Sequence, residues 1–161
     1  MKYLTTRALI LFMTIAAVPT QADEATPGGG LAKDIYGSIE DNPNGRVDLG
    51  EFINFGRSIF DSMDSDESGH VDFSEFTEWD FGFNFIAEEK GQEQAYKAAQ
   101  KIIFAFWDRD GDGKLQLKEY HKSMNWDFNR ADLNDDAFLS RNEFLEGYIV
   151  NVAYRAAIAG L

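Results

Sequence analysis

The chain contains no cysteine. Disulfide frameworks, thiolate zinc sites, c-type haem attachment and cysteine nucleophiles are therefore excluded. Histidine is scarce as well. His70 and His121 are the only two, which argues against an imidazole-rich zinc or copper site. Positive charge is also in short supply. Fifteen Lys and Arg face 28 Asp and Glu, for a net charge of −13 at pH 7. Nucleic acids and anionic membranes are thus disfavoured as partners. No Ser/His/Asp, Cys/His, phosphate-loop or dinucleotide pattern appears, so an enzyme is the class the sequence supports least. Apolar residues are not lacking. They make up 44% of the 161 residues and include 14 Phe, too many for a disordered acidic chain.

Long apolar runs are missing with one exception, Ala8–Val18. Its eleven residues fall short of the about 20 that cross a bilayer as a helix. Lys2 and Arg7 precede it, Pro19 ends it, and Thr20-Gln21-Ala22 puts small residues where a signal peptidase needs them. Residues 1–22 are therefore predicted to be a secretory signal peptide, with an uncleaved anchor as the competing reading. The expected location is secreted or periplasmic, with no membrane attachment after cleavage. The missing cysteine excludes a lipoprotein. Loss of Lys2 and Arg7 would take the net charge from −13 to −15. Residues 23–30, with three consecutive glycines, read as a flexible leader.

Four acidic twelve-residue stretches organise the rest. Loop three, Asp108–Glu119, has Asp108, Asp110 and Asp112 at positions 1, 3 and 5, Gly113 at 6, Gln116 at 9 and Glu119 at 12. Loop two, Asp64–Glu75, presents Asp64, Asp66, Ser68, Asp72 and Glu75 at the same five side-chain positions. Loop four, Asp132–Glu143, presents Asp132, Asn134, Asp136, Ser140 and Glu143. Ala137 replaces glycine at its position 6, where positive φ costs a Cβ-bearing residue on the order of 1 kcal/mol. Loop one, Glu40–Glu51, keeps Asn42, Asn44, Gly45, Asp48 and Glu51, but has Glu40 at position 1 and a stiffening Pro43.

The loops start at residues 40, 64, 108 and 132, so the second half repeats the first at an offset of 68. Phe52 and Tyr120, Phe60 and Phe128, and Phe76 and Phe144 obey the same offset. An internal duplication explains this most simply. Position 8 is apolar in every loop: Val47, Val71, Leu115 and Leu139.

The loop spacing resembles the EF-hand superfamily over roughly Leu31–Leu161, and the two-pair layout is similar to that of calmodulin. The resemblance implies an all-α fold of helix–loop–helix pairs, one in residues 31–90 and one in 91–161. The position-8 residues of paired loops would meet in a short antiparallel ladder. The resemblance also implies Ca²⁺, a hard cation that takes about 6–8 oxygens at roughly 2.3–2.6 Å. The side chains named above would supply most of them. The position-7 carbonyls of Arg46, His70, Lys114 and Phe138 would add one each. The expected order of affinity is loop three, loop two, loop four, loop one, with loop one either a binding site or a purely structural half-site.

One departure from calmodulin matters. Only twelve residues separate the loops within each half, Phe52–Met63 and Tyr120–Ala131, or about 18 Å of helix. One helix must leave one loop and enter the next, or break into two short turns. Such compact units are similar to those of secreted bacterial EF-hand proteins and dockerin modules. Further helices are expected over Leu31–Ile39, Glu78–Gly91 with a bend at Gly82, Gln92–Trp107 and Phe144–Leu161.

The function these features imply is calcium binding by an exported protein, as a buffer or a structural binder. One alternative is a sensor that takes a protein or peptide partner in an aromatic groove. Trp79, Phe81, Phe83, Phe85, Trp107, Trp126 and Phe128 motivate it, although the same residues suit an ordinary core. After signal cleavage only Met63 and Met124 remain, unlike the Met-rich surfaces of adaptable binders. The other alternative is a dockerin-like interaction module. His121 is expected to be a surface or partly buried residue.

Overall fold

A computed structural model describes residues 26–39 and 44–160. The predicted signal peptide, and Glu40 and Asn42 of loop one, lie outside the described residues. The elements are α1 (Gly29–Ile39), β1 (Val47–Asp48), α2 (Leu49–Met63), β2 (His70–Asp72), α3 (Phe73–Glu78), α4 (Phe83–Lys90), α5 (Glu93–Trp107), β3 (Lys114–Gln116), α6 (Leu117–Ala131), β4 (Phe138–Leu139), α7 (Arg141–Gly147) and α8 (Ile149–Ala159). The fold is helical, with two small antiparallel ladders. None of the described helices is long and apolar enough to cross a membrane.

The twelve-residue spacers resolve as single helices. α2 runs unbroken for 15 residues, and so does α6, each about 22 Å long at 1.5 Å per residue. Loops one and two therefore sit at opposite ends of α2, too far apart to pair. The expected ladders are present, but β1 pairs with β4, with Val47 opposite Leu139, and β2 pairs with β3, with Val71 opposite Leu115. Loop one thus partners loop four and loop two partners loop three, rather than each loop its neighbour within one half. α2 and α6 lie antiparallel and each belongs to both pairs.

The duplication becomes a pseudo-twofold arrangement. Phe52 meets Phe128 at 5.7 Å between ring centroids, and the residues 68 positions away, Tyr120 and Phe60, meet at 5.6 Å. Tyr36 with Phe144 at 5.5 Å matches Phe104 with Phe76 at 5.4 Å. Gly56 and Met124, themselves 68 apart, touch where α2 and α6 cross. One continuous core results, drawing Phe52, Phe60 and Val71 from the first half and Tyr120, Phe128 and Leu139 from the second.

Three helix boundaries differ from expectation. α1 starts at Gly29, two residues earlier than Leu31. The segment after loop two is not one bent helix: α3 stops at Glu78 and α4 begins at Phe83. Gly82 has φ 106°, and the Asp80 carboxylate accepts from the Gly82 and Asn84 amides. The C-terminal helix is broken at Tyr148, where ψ is 120°. Carbonyls released there gain side-chain donors, since Asn151 donates to Phe144 O at 2.9 Å and Arg155 to Leu145 O at 2.9 Å.

Candidate metal centre

Every loop ends in the same local device. The backbone amide of position 9 donates to the position-12 glutamate: Asp48 to Glu51, Asp72 to Glu75, Gln116 to Glu119 and Ser140 to Glu143. In loops one, two and four the position-9 side chain accepts the Glu amide in return. These are capping boxes that start α2, α3 and α7. One oxygen of the glutamate is thereby fixed on the helix. In loops two and four the other is turned back to the loop's start. Glu75 Oε1 accepts from Ser65 N at 2.9 Å, and Glu143 Oε1 from Leu133 N at 3.1 Å.

The position-1 aspartate organises the turn. Asp64 Oδ1 and Oδ2 accept from the Ser68 and Gly69 amides, each at 2.9 Å. Asp108 takes the Gly111 and Gly113 amides at 2.9 Å each. Asp132 takes the Asp136 and Ala137 amides at 3.1 and 2.9 Å. Bending the backbone around one carboxylate demands positive φ at positions 4 and 6. Loop three fills both with glycine, Gly111 and Gly113. Loop two has Glu67 at φ 57° before Gly69, and loop four has Asp135 at 57° and Ala137 at 66°. Backbone strain therefore rises from loop three to loop two to loop four.

Two loops gather three carboxylates each. Ligand oxygens of Asp64, Asp66 and Glu75 lie within 4.8 Å of one another, as do those of Asp108, Asp110 and Asp112. Oxygens on opposite sides of one Ca²⁺, each at roughly 2.4 Å, are about 4.8 Å apart, so both clusters have the size of a calcium shell and an all-oxygen donor set. Hydrogen bonds from the Ser68 hydroxyl and amide hold Asp66 below the usual carboxylate range, which keeps it charged. Ser68 Oγ lies 3.0 Å from His70 O, so positions 5 and 7 converge as well. The His70 ring Nδ1 lies 2.9 Å from Ser68 Oγ.

The remaining predicted site residues are placed less tightly. Glu119 is not within the Asp108 cluster, and Asp72 serves as a helix cap. In loop four, Asn134 Oδ1 accepts from Asp136 N at 2.9 Å, Asp136 Oδ1 accepts from Phe138 N at 3.0 Å and Ser140 is the α7 cap. In loop one, Asn44 Oδ1 accepts from Arg46 N at 2.7 Å. The Tyr36 hydroxyl, 3.1 Å from Gly45 O and 2.9 Å from Leu139 O, ties this loop to loop four.

Two features near the loops escaped the sequence reading. Arg46, at position 7 of loop one, crosses the ladder to pair with Asp136 of loop four at 3.1 Å, and its guanidinium lies 4.0 Å over the Phe138 ring. No local pattern joins residues so far apart in the chain; only the β1–β4 pairing does. Trp107, directly before loop three, donates from Nε1 to buried Asp127 at 2.8 Å. Burial pushes the Asp127 carboxyl up, opposed by Trp107 and Arg130. That bond clamps the end of α5 against α6. The capping boxes carry a local signal, Asp/Ser-x-x-Glu at positions 9 to 12.

A family model described as EF hand matches residues 57–78 and 100–124, the segments that hold loop two and loop three with their flanking helices. No curated protein matches the chain. The EF-hand family suggests calcium binding, and the two carboxylate clusters fit it. The helix–loop–helix units and the β2–β3 ladder agree with these matches, so the segments around loops two and three are EF hands.

Proposed function

We propose that the protein is an exported calcium binder that gains stability from the ion. Loops two and three are filled first, loop four more weakly and loop one last. The observation that carries this is the pair of three-carboxylate clusters joined through the β2–β3 ladder. The proposed ligands are the side chains at positions 1, 3, 5, 9 and 12, with the position-7 carbonyl. Asp72 at position 9 combines capping with coordination, and Gln116 coordinates directly or through water. Uncompensated, each cluster repels itself. An ion bound only by the folded chain removes that repulsion and stabilises by mass action. Export would suit sites of modest affinity, because calcium is abundant outside cells.

A binding role is favoured over catalysis because the proposed ligand positions already use half of the 28 acidic side chains. A buffer or structural role is favoured over a sensor with an aromatic groove, because most of the candidate groove aromatics lie in or on the core. Of the seven aromatics that motivate the sensor, Phe83, Trp107 and Phe128 are core residues and Trp79 and Phe81 are packed against that core, while Phe85 and Trp126 are exposed. Calorimetric titration of the signal-free chain, followed in parallel by Trp fluorescence and circular dichroism, tests the proposal. At least two sites are expected, with a rise in melting temperature. Silence at millimolar Ca²⁺ would defeat it.

A further inference from the structure

The acidic character of the chain is interrupted on one face. On α5, Ile102 and Phe106 stand one turn apart and are 63% and 39% exposed. On α6, Lys122, Trp126 and Arg130 recur at four-residue spacing along one side, and Trp126 is 44% exposed. Cations lace the two helices together. The Arg109 guanidinium lies 3.6 Å over the Trp126 ring, the Arg130 guanidinium 4.5 Å over Phe106 and the Lys122 ammonium 5.3 Å from Trp126.

This composition has a chemical meaning. Exposed tryptophan and arginine are the residues that most often anchor protein interfaces. Arg109 is held flat on an indole, with Nε 3.4 Å from Ser123 Oγ. Its terminal nitrogens remain a fixed planar fork for a carboxylate, at little further cost in side-chain entropy. Asp127, between Trp126 and Arg130 in sequence, is buried and turned to Trp107 and Arg130.

We propose that this face docks an acidic amphipathic segment of a partner protein. Carboxylates of the segment sit on Arg109 and Lys122, and its apolar side chains cover Phe106 and Trp126. Charge selects this occupant. A basic segment is repelled by the face itself. The local excess of Arg109, Lys118 and Lys122 over Asp110 and Glu119 outweighs the net charge of −13 for a short segment with few charges, whereas a second copy of this chain or an anionic bilayer brings far more negative charge and is repelled in proportion. The recess beside the face is lined by Arg109, Lys118 and Lys122 together with Asp110 and Glu119 of loop three. Resting on the calcium reading above, docking is tighter with Ca²⁺, because the ion takes over Asp110 and Glu119 and leaves the cations for the partner.

The test uses the signal-free chain and a fluorescent peptide of Leu and Glu at amphipathic helical spacing. The same peptide with Lys in place of Glu is the control. Anisotropy is read in excess Ca²⁺ and in excess chelator. The acidic peptide is expected to bind and the basic one not. Lys122→Glu and Trp126→Ala should each weaken binding about tenfold or more, while their circular dichroism and cooperative thermal unfolding match the parent chain and so report an intact fold. Equal binding of the two peptides, or unchanged binding by both variants, would overturn the docking face. So would a dimer in sedimentation that Trp126→Ala abolishes, or preferential binding to phosphatidylserine vesicles. Equal acidic-peptide binding with and without Ca²⁺ would overturn the calcium dependence alone. A chain that binds the peptide yet shows no calcium heat would sink the calcium reading and leave the face standing.

Discussion

Gly147 lies directly on the backbone of Ala131. A Cβ built on Gly147 would come within 2.7 Å of Ala131 Cα and 2.9 Å of its carbonyl oxygen. The last turn of α7 thus meets the end of α6 with no side chain between them. Gly147→Ala is expected to cost about 1–3 kcal/mol, the range for overpacking a tight contact. Gly56→Ala, whose added methyl would meet the flexible Met124 side chain instead, should cost less. Urea unfolding of both variants in excess chelator gives the comparison.

The ladder partners decide which sites feel each other. Glu75→Gln removes a charge from loop two, and the effect should pass through Val71 and Leu115 to loop three. Affinity at loop three is expected to fall severalfold, within the usual range of about 1–3 kcal/mol for coupled sites, and by more than at loop four. The amides of Gly113 and Ala137, each bonded to the position-1 aspartate of its loop, report the two loops separately in an NMR titration.

Loop four carries two handicaps that can be removed one at a time. Ala137→Gly relieves a strained φ worth on the order of 1 kcal/mol, so affinity there should rise roughly fivefold. Arg46→Ala frees Asp136 from a half-exposed ion pair worth about 0.2–1 kcal/mol, and should raise it by a smaller factor. Calorimetry that resolves the weaker site checks both.

Four buried phenols set an alkaline limit. Burial pushes Tyr96, Tyr120, Tyr148 and Tyr154 above the ordinary value of 10.0. The folded chain keeps these protons where the unfolded chain would release them. Their contribution is therefore intact below pH 10 and is lost as pH rises beyond it. Phenolate absorbance should lag behind that of free tyrosine and then rise together with loss of helical circular dichroism. Smooth titration with helix retained would contradict this.

The loops were legible because coordination leaves a strict spacing: Asp64, Asp66 and Glu75, or Asp108, Asp110 and Asp112, are recognisable without coordinates. The single α2 and α6 helices were half legible, from a twelve-residue spacer that allowed one helix or two short turns. Loop pairing was not legible, because Val47, Val71, Leu115 and Leu139 are interchangeable at position 8. The length of α2, not any residue type, sets the partners. The break at Tyr148 was hidden for another reason. An apolar periodicity runs straight through it, and only the Gly147–Ala131 contact and the Asn151 and Arg155 donors reveal why the chain turns there.

Because loop one closes on loop four and loop two on loop three, neither half of the duplicated chain is a finished object. A lone copy of the ancestral unit would carry two strands with nothing to lie against. Its natural remedy would have been a twin, with the Gly56 and Met124 positions falling on the rotation axis between the two. On this view the present polypeptide is a dimer written in one line, and the link around Gly91 is the seam where two ancestral subunits were joined.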